Sequence, residues 1–506
     1  MNTRRPEIER DAEKLRRRLE QALHFSGDSP QIDFYISALT EYNPFHTTEE
    51  VQNWLESLNK EERFHVTLKP ISELHDWYFD EKTGDLCHKS GGFFSIRGLE
   101  VHTNIGPVEH WTQPIIDQPE IGVLGIITKK INGILYFLMQ AKAEPGNINT
   151  FQIAPTVQST RSNFMRLHNG KSTRYIDYFI NGRHAEILID QLQSEQGARF
   201  FQKRNRNVII RIPDDEEIDL SPNYKWLTLG QLKKLMRRDN TVNMDARSVI
   251  SSIAFSPQNN KSKEQVEPDM LKDCLETSAL TEKPISDLKI KLMLSECCQD
   301  RPAHCMDELL RIISYERFQC RLHTSIIPLK EVKDWICAQD KIYHRQNKYF
   351  EVIGVHVEAS NREVACWDQP IIRQRHEGKV GFIIREINGI LHFLVQLKLE
   401  SGNIDILGLA PTVQCITGSY GEGYIPEYAE EILNPERCRI ILDTMQSEEG
   451  GRFYHEANRN LILLGDDSFP LKTPQRYLWM TLKQLKELLK YNNYLNVETR
   501  SLLALV

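Results

Sequence analysis

The chain contains a long internal repeat: residues 122–158 recur as residues 378–414, at a constant displacement of 256 positions. More than half of the paired positions are identical, and the segment Ala154-Pro-Thr-Val-Gln158 returns unchanged as Ala410-Pro-Thr-Val-Gln414. Self-similarity at this length indicates that one structural unit has been duplicated within the chain. Any fold proposed for the sequence must therefore accommodate two copies of the same unit.

The repeat extends beyond this window in both directions. Upstream, the segment that begins at Trp111 has its counterpart at Trp367, and downstream Gln193-Ser-Glu corresponds to Gln446-Ser-Glu. Each copy is long enough, at roughly 200 residues, to bury a core of its own. We expect an N-terminal helical segment, a first repeat, a linker and a second repeat, at residues 1–44, 45–252, 253–285 and 286–506 respectively.

Composition excludes several classes of protein. With 40% hydrophobic and 26% charged residues, the chain is typical of a globular protein, and no apolar run reaches the roughly 18 residues that a membrane span needs. The formal charge of -7 argues against nucleic-acid binding, because affinity for a phosphate backbone requires a cationic surface. The charged N-terminus lacks the apolar segment of a secretory signal, so we expect a cytoplasmic protein that binds neither membranes nor nucleic acids.

The ten cysteines do not occupy matching positions in the two copies. They form no Cys-x-x-Cys pair, so they are predicted to be free thiols rather than disulfides or a metal site. We interpret the cluster of Cys297, Cys298, His304 and Cys305 as helix packing. No metal ion and no cofactor are expected.

Turn and cap signals give each copy a mixed α/β character. Asn132-Gly133 separates two apolar strands, and an Asn-Gly pair favours a type I′ hairpin turn because both residues tolerate positive φ. The same turn is expected at Asn388-Gly389. Thr228 and Gln231 have the spacing of a capping box at a helix start. Hairpins combined with capped helices predict mixed α/β domains.

The strand after the first hairpin carries a distinctive polar pattern. Because strand side chains alternate between faces, Gln140, Lys142 and Glu144 are predicted to project together, away from the apolar residues between them. An exposed sheet face with an ion pair is the ordinary interpretation of such a pattern. The same triplet returns within residues 396–400, and a Gly-Asn pair follows in both copies. This recurrence favours a binding site.

A loop rich in hydrogen-bond donors follows in the first copy, where it contains Arg161, Asn163, Arg166 and His168. The guanidinium fork of arginine can hold two oxygens of a diphosphate at once. The corresponding loop of the second copy has no arginine, so the first copy is better equipped to bind an anion. The alternative is that the arginines only stabilise the loop.

Two further features point to an anion and a nucleobase. Ser194 and Glu195 are predicted to begin a helix, whose free N–H groups and dipole favour a bound anion. Three arginines would complete that site: Arg199, Arg204 and Arg206. Trp111 offers a ring on which a base could stack, although a tryptophan in the core is the commoner alternative.

These motifs, together with Glu120-Ile-Gly-Val-Leu-Gly125 and Lys203-Arg-Asn-Arg-Asn207, resemble the NDP-hexose 2,3-dehydratase family over almost the whole chain. The resemblance implies a homodimer of tandem duplicated Nudix-like α/β domains, with two nucleotide-sugar pockets in each chain. It also implies an NDP-4-keto-6-deoxyhexose as substrate, above all dTDP-4-keto-6-deoxyglucose, which loses water at C2 and C3 without a cofactor.

The implied reaction needs a base near C3, an acid for the departing C2 hydroxyl and donors for the enolate. Lys142 and Glu144 are the first candidates for proton transfer, with His168 and Tyr178 in reserve. The predicted substrate-binding residues are Trp111, Gln113, Gln140, Asn147, Thr156, Gln158, Arg161, Asn163, Arg166, Ser194, Glu195, Arg199, Arg204, Asn205 and Arg206. The residues predicted for a second pocket are Trp367, Gln396, Lys398, Glu400, Asn403, Gln414, Ser447, Arg452, Asn458 and Arg459.

Two other functions compete with dehydration. A Nudix-type nucleotide-sugar hydrolase would need the glutamate cluster of the Nudix signature, which holds magnesium and is not intact in this sequence. A nucleotide-sugar-binding protein without catalysis would use the same arginines and tryptophans. Loss of water from an NDP-4-ketosugar distinguishes a dehydratase from both.

Overall fold

The computed structural model describes residues 5–25, 29–164, 172–182, 185–256, 266–297, 302–360, 364–416, 425–435 and 437–506. The α-helices in these residues are α1 (Arg5–Ala22), α2 (Pro30–Leu39), α3 (Thr48–Glu61), α4 (Arg161–Phe164), α5 (Asp177–Ile180), α6 (Leu229–Met236), α7 (Met244–Ser251), α8 (Pro268–Glu276), α9 (Asp287–Cys297), α10 (Met306–Gln319), α11 (Ala429–Leu433), α12 (Leu482–Leu489) and α13 (Val497–Ala504). Of these described helices, none is long and apolar enough to cross a bilayer.

The strands alternate with these helices along the chain. They are β1 (Phe64–Lys69), β2 (Trp77–Phe79), β3 (Leu86–His88), β4 (Ser95–Thr103), β5 (His110–Asp117), β6 (Gly122–Ile131), β7 (Ile134–Ala143), β8 (Phe151–Ala154), β9 (Val157–Ser159), β10 (Glu186–Ser194), β11 (Arg204–Arg211), β12 (Tyr224–Thr228), β13 (Leu322–Ile327), β14 (Trp335–Cys337), β15 (Lys341–His344), β16 (Phe350–Ala359), β17 (Cys366–Gln374), β18 (Gly378–Ile387), β19 (Ile390–Leu399), β20 (Leu407–Ala410), β21 (Val413–Ile416), β22 (Cys438–Ser447), β23 (Ala457–Gly465) and β24 (Tyr477–Thr481). The predicted mixed α/β class is confirmed.

Each repeat contributes one seven-stranded sheet. In the first sheet, β10, β11, β6, β7 and β12 lie side by side in that order, with β8 against β7 and β9 against β6. The second sheet has the equivalent order β22, β23, β18, β19 and β24, with β20 against β19 and β21 against β18. In both sheets the central pair, β6–β11 or β18–β23, is parallel. The two sheets therefore share one topology.

The local predictions for turns and caps are confirmed. Asn132 and Gly133 have φ values of 50° and 77° and close the β6–β7 hairpin, as a type I′ turn requires. At the start of α6, the Thr228 side chain accepts a hydrogen bond from the Gln231 backbone, and the Gln231 side chain accepts one from Thr228 N–H. The equivalent helix α12 and the early helix α3 begin with the same capping box. These signals act between sequence neighbours, so tertiary packing is not needed to interpret them.

The two repeats are joined by an exchange of strands. β1 of the first repeat pairs with β16 of the second, and β13 of the second repeat pairs with β4 of the first. One five-stranded sheet has the order β1-β16-β15-β14 with β17 against β16, and the other has the order β13-β4-β3-β2 with β5 against β4. Each of these sheets thus contains a strand from the other repeat. The repeats cannot separate without opening both sheets.

Two buried arginines connect the last helices of the repeats. Arg247 on α7 donates through Nε to Ser501 Oγ at 2.8 Å, and Arg500 on α13 donates through Nε to Ser248 Oγ at 3.1 Å. Burial lowers the pKa of both guanidinium groups to about 10, so they remain cationic at neutral pH. Their other N–H groups donate to backbone carbonyl oxygens. The arginines therefore cross-link the two copies reciprocally.

The predicted helix start at Ser194 and Glu195 is wrong. β10 ends at Ser194, and residues 197–199 form a turn that leads back into β11. The other repeat holds this turn, because Gly402 N donates to Gly197 O at 2.6 Å. Between residues 194 and 204 the described chain contains no helix N-terminus, so the dipole argument for an anion at this position does not apply.

The segment between the repeats includes a helix. α8 begins at Pro268 and packs against α1, while residues 257–265 lie outside the described part of the chain. α9 ends at Cys297, whose thiol lies 2.8 Å from Tyr35 Oη in the core. The cysteines that the structure describes are free thiols, as predicted, and Cys298 is outside the described residues.

Two glycines allow the repeats to touch through their backbones. Gly146 N donates to Gly450 O at 2.7 Å. A Cβ on Gly146 would lie 1.6 Å from Phe453 O, and a Cβ on the equivalent Gly402 would lie 2.0 Å from Phe200 O. Real Cβ atoms do not approach a carbonyl oxygen so closely, so these crossings require glycine.

Gly146→Ala is expected to lower the free energy of unfolding by roughly 3 kcal/mol or more, the upper end of the cost of overpacking, because two backbones would have to separate. The matched control is Gly408→Ala, where the nearest atom to the added Cβ is 3.9 Å away. Calorimetric melting of the full chain measures both variants. Equal melting temperatures for Gly146→Ala, Gly408→Ala and the parent would contradict the role of the crossing.

Candidate active site

A cavity of about 700 Å³ lies where the two repeats meet, and we call it the first cavity. Residues of the first repeat that line it include Lys142, Glu144, Gln158, Asn163, Lys203 and Asp245. Residues of the second repeat that line it include His356, Trp367, Asp368, Gln369, Glu449 and Arg452. The cavity is therefore composite, and neither repeat forms it alone.

One wall is the end of β7, where the predicted alternation of faces is confirmed. Met139, Ala141 and Ala143 are buried in the hydrophobic core, while Lys142 and Glu144 face the cavity. The core residues fix the strand register, because a slip by one residue would reverse the two faces. The position of the charged pair thus follows from the packing on the other side of the sheet.

Lys142, Glu144 and Gln158 form a hydrogen-bonded network. Lys142 Nζ lies 3.5 Å from Glu144 Oε1 and donates to Gln158 O at 3.2 Å, and Gln158 Nε2 donates to Glu144 Oε1 at 2.9 Å. Glu144 is only 5% exposed. Its second oxygen, Oε2, is buried and has no hydrogen-bond partner among the described residues. A buried carboxylate oxygen of this kind is an acceptor for a proton or a substrate hydroxyl.

The opposite wall is the turn that contains Glu449 and Arg452 of the second repeat. The guanidinium of Arg452 lies 4.2 Å from the centre of the Phe94 ring and donates to Gln118 Oε1 at 3.2 Å. Burial lowers the pKa of Arg452 from its ordinary value, while the charges of Glu449 and Glu144 oppose that shift. Arg452 was predicted for the second pocket, but the backbone crossing at Gly450 places it in the lining of the first cavity.

Arg199 crosses the boundary in the opposite direction. Its guanidinium lies 4.3 Å from the centre of the Phe350 ring and 3.4 Å from Gln374 Oε1, both in the second repeat. The adjacent Gly197 N donates to Glu400 Oε2 at 3.3 Å. Arg199, predicted for the first pocket, therefore belongs with Lys398 and Glu400, and we call this group the second site.

The two tryptophan–glutamine pairs are exchanged in the same way. Trp367 and Gln369 line the first cavity, and Gln369 Nε2 donates to Gly451 O at 2.8 Å. Trp111 and Gln113 make the equivalent contact with the other turn, where Gln113 Nε2 donates to Ala198 O at 3.0 Å. In both pairs the indole Nε1 donates to the glutamine at 2.9 Å. The structure thus places Trp111 and Gln113 beside the turn at Ala198 rather than in the lining of the first cavity with Lys142.

Burial neutralises part of the acidic charge of the first cavity. Burial and neighbouring carboxylates raise the pKa of Asp245 well above its ordinary range, and burial with the charge of Glu195 raises the pKa of Glu449 to about 7. Lys203 lies in the same cavity, and burial lowers its pKa. The raised pKa values make Asp245 and Glu449 weaker acids, which leaves the cations of the cavity, including Arg452, less compensated. That balance favours an anionic ligand.

The second site differs from the first cavity in charge. Its sequence counterpart to Lys203 is Glu456, and its counterpart to Glu449 is Gln196. Burial raises the pKa of Glu456 to about 8. The cation that Lys203 supplies to the first cavity is therefore replaced by an acid, so the first cavity is the better site for a diphosphate.

A histidine and an aspartate of the second repeat complete the first cavity. His356 Nδ1 lies 2.6 Å from Asp368 Oδ1, and Asp368 also accepts from Lys69 Nζ and His75 N, each at 2.7 Å. Burial opposes ionisation of Asp368, but these donors prevail and lower its pKa. An ionised Asp368 accepts from Nδ1–H of His356 and orients the ring, while Nε2 lies 3.7 Å from Cys366 Sγ on the cavity wall. The counterparts in the first repeat are Glu100 and Thr112, so the second site lacks this pair.

Several predicted residues serve the fold. Tyr178 Oη donates to Glu216 at 2.6 Å, and the Thr156 hydroxyl is bonded within the sheet. Arg206 and Arg459 pair with Asp190 and Asp443 of the neighbouring strand. Other predicted residues donate or accept within their own repeat: Gln140 to Pro155 O, Asn147 to Thr150 O, Asn205 to Glu195, Asn458 to Glu448, Gln396 to Pro411 O, Asn403 to Glu400 and Gln414 to Glu400. The carbonyl oxygens of Ser194 and Ser447 accept from the side chains of Arg500 and Arg247, each in the other repeat.

The donor-rich loop is only partly described. Asn163 lines the first cavity, and Arg161 is exposed at the start of α4. Arg204 lies at the start of β11. Arg166 and His168 lie outside the described residues. A neighbouring cavity of about 480 Å³ shares Lys142 and Gln158 with the first cavity and is lined by Gln140 and Thr156.

Sequence reasoning missed the roles of Asp245, Glu449, His356 and Asp368 in the first cavity, and it cited Lys203 only as part of the run Lys203-Arg-Asn-Arg-Asn207. One signal was available, because residue identity differs at aligned positions of two copies that otherwise agree closely. Lys203 aligns with Glu456, and Glu449 aligns with Gln196. Divergence within a duplicated motif indicates positions where only one copy retains a functional role. The signal for His356 was weaker, since nothing near it in sequence indicates a cavity.

Glu449→Gln is expected to stabilise the chain increasingly as the pH rises. The folded-state pKa of about 7 lies above the ordinary 4.5, so the contribution of the protonated carboxyl is present below 4.5 and lost as pH rises through 7. The glutamine variant does not lose it, and its advantage should reach on the order of 2 kcal/mol at pH 8. Melting temperatures at pH 5 and pH 8 measure the effect. Glu61→Gln, at an exposed glutamate of α3, is the control, and an identical pH response in both variants would contradict the prediction.

Comparison with known proteins identifies the family. The model of the NDP-hexose 2,3-dehydratase family matches residues 48–253 and 306–506. Three similar proteins are each described as a dTDP-4-dehydro-6-deoxy-alpha-D-glucopyranose 2,3-dehydratase. The one from Saccharopolyspora spinosa is 38% identical over 93% of this chain and 93% of the relative. The one from Amycolatopsis orientalis is 37% identical over 93% of this chain and 92% of the relative, and the one from Streptomyces violaceoruber is 39% identical over 90% of this chain and 95% of the relative. Two matched regions agree with the repeats seen in sequence and topology. The chain belongs to the NDP-hexose 2,3-dehydratase family.

Proposed function

We propose that this protein eliminates water across C2 and C3 of dTDP-4-keto-6-deoxyglucose and releases the 3,4-diketo-2,6-dideoxy sugar nucleotide. The observation that carries the proposal is the network of Lys142, Glu144 and Gln158. It sets a carboxylate beside an ammonium group inside the first cavity, and one oxygen of that carboxylate has no hydrogen-bond partner in the described part of the chain. Such a pair can remove a proton and stabilise the negative charge that results. The names of the similar proteins support the choice of substrate.

The first step is removal of the C3 proton by Glu144. The C4 ketone makes this proton acidic, and as the C3–H bond breaks its electron pair forms a C3–C4 double bond while charge collects on O4. The Lys142 ammonium, 3.5 Å from Glu144 Oε1, stabilises the oxyanion. Each such role contributes about 10² to 10⁴ in rate.

The second step is loss of the C2 hydroxyl, assisted by His356. The imidazole of His356, oriented by Asp368 Oδ1 at 2.6 Å from its Nδ1, transfers a proton from Nε2 to the departing oxygen. The C2–O bond breaks, water leaves, and the electron pair of the enolate forms a C2–C3 double bond. The resulting enol tautomerises to the C3 ketone. Oxidation at C3 balances reduction at C2, so the net reaction consumes no external oxidant or reductant.

The remaining cavity residues bind the nucleotide diphosphate. Lys203 and Arg452 come from different repeats and supply cations to one cavity. Arginine and lysine are suited to phosphate oxygens, and Trp367 offers a ring for the base. A volume of about 700 Å³ is within the range of small-molecule sites. The ligand would thus bridge the two copies.

The finer expectations from the family resemblance are also part of this proposal. They are a Nudix-like class for each repeat, a homodimer and a cytoplasmic location. The equivalent strand orders of the two seven-stranded sheets support a common class for both repeats. Sedimentation of the full chain measures the oligomeric state.

Glu144→Gln is expected to reduce turnover at least about 100-fold, because the amide cannot accept the C3 proton. Glu400→Gln is the matched control, since Glu400 occupies the same position in the second site and accepts the same bond from a glutamine, but its Oε2 is occupied by donors from Gly197 and Asn403. Mass detection of water loss from dTDP-4-keto-6-deoxyglucose measures both. Full turnover in Glu144→Gln, or an equal loss in Glu400→Gln, would contradict the assignment.

His356→Gln is expected to separate the two steps. In deuterium oxide the variant should still exchange the C3 hydrogen, because Glu144 is intact, while water loss should fall about 100-fold or more without the acid. Glu144→Gln should lose both exchange and water loss. Mass spectrometry of the recovered substrate and product measures the two events. Unimpaired water loss in His356→Gln would refute the proton-donor role.

A further inference from the structure

A row of histidines crosses three neighbouring strands on the exposed face of one five-stranded sheet. His102 on β4 lies directly opposite His110 on β5 and directly opposite His323 on β13. Directly opposite residues of antiparallel strands point to the same face. Glu100, two residues before His102 on the same strand, also points to that face. Four side chains that can bind metals are therefore gathered on three adjacent strands.

The side-chain geometry of Glu100, His102 and His110 fits a metal ion. Glu100 Oε1 lies 3.0 Å from His110 Nε2 and 3.6 Å from His102 Nε2. Ligand atoms bound at about 2.0–2.1 Å to a tetrahedral zinc ion lie roughly 3.3–3.4 Å apart, between these two distances. Both Nε2 atoms approach the Glu100 carboxylate, while the two imidazole rings are stacked with centroids 4.1 Å apart and an angle of 6° between their planes. Because a bound metal ion lies near the plane of each imidazole that binds it, one of these exposed rings has to rotate about its side-chain bonds when the ion binds.

The other sheet supplies an independent observation at the same positions. The counterparts of Glu100, His102 and His110 are His356, Glu358 and Cys366. His65 on β1 lies opposite Glu358, as His323 lies opposite His102. Although residue identities have changed between the copies, every one of these positions holds a metal-binding type of side chain. An ordinary solvated sheet face has no reason to keep that chemistry at four matched positions.

The two copies use these positions differently. In the second repeat, Asp368 binds His356 and Arg63 pairs with Glu358. Of the matched positions in this repeat, His356 and Cys366 line the first cavity. In the first repeat, Thr112 aligns with Asp368, so no aspartate competes at that position. His110 Nε2 contacts Glu100 instead. Glu100, His102 and His110 do not line the first cavity. This group is therefore independent of the proposed dehydration.

We propose that Glu100, His102 and His110 form a binding site for a divalent transition-metal ion, with zinc as the best match. The three ligand atoms lie within 4.8 Å of one another. Two imidazoles and a carboxylate are a ligand set found in zinc sites with three protein ligands. The fourth coordination position is then left for water or for His323. Ligands from β4 and β5 would be joined by the ion, which would stabilise the edge of this sheet.

The test is calorimetric titration of zinc chloride into the full chain, prepared without a histidine tag and treated with a chelator. The parent protein is expected to bind one more zinc ion than the His102→Ala, His110→Ala double variant. Removing one ligand alone, as in Glu100→Gln, should lower the affinity for this zinc ion more than 10–100-fold, which is the loss expected when only a partner of a ligand is removed. Zinc should also raise the melting temperature of the parent and not of the double variant.

His376→Ala is the control, because His376 is an exposed histidine in the turn after β17. It should bind as many zinc ions as the parent. The replaced side chains are on the surface, so melting without zinc shows whether the double variant is folded. Equal zinc stoichiometry and affinity in the double variant and in His376→Ala would overturn the proposal, whether or not the chain dehydrates a sugar nucleotide.

Discussion

The backbone contact between Gly146 and Gly450, repeated between Gly402 and Gly197, determines which side chains share a cavity. Because each contact joins a loop of one repeat to a turn of the other, the turn residues are carried across the boundary. Arg452 is thereby set against Phe94 and Gln118 of the first repeat, and Arg199 against Phe350 of the second. A fold of two separable copies would not produce these pairings, and glycine at the crossings makes the close approach possible.

The exchange of strands has the same consequence on a larger scale. β1 and β13 each complete a sheet of the other repeat, so the walls that carry Trp367 and His356 are tied to the first repeat by main-chain hydrogen bonds. The composite cavity is therefore rigidly defined by the sheets. A substrate bound there would contact both copies at once, which explains why duplication gives a site that a single unit lacks.

Local structure was predictable from the sequence, and the grouping of the site was not. The Asn132-Gly133 hairpin, the Thr228 capping box and the shared face of Lys142 and Glu144 all depend on near neighbours, and all three are confirmed. The pairing of Lys142 with Arg452 depends on contacts more than 300 residues apart in the chain, which no periodicity reveals. The predicted helix at Ser194 failed because the segment is held as a turn by Gly402 of the other repeat.

A crystal structure of the full chain with bound dTDP tests the composite cavity most directly. We expect the diphosphate to contact Lys203 of the first repeat together with Arg452 of the second, with Lys142 facing the adjoining space where the sugar would lie. A nucleotide that contacts residues of a single repeat, such as Trp111, Gln113 and Arg204, would show that the cavity does not bind its ligand across the two repeats.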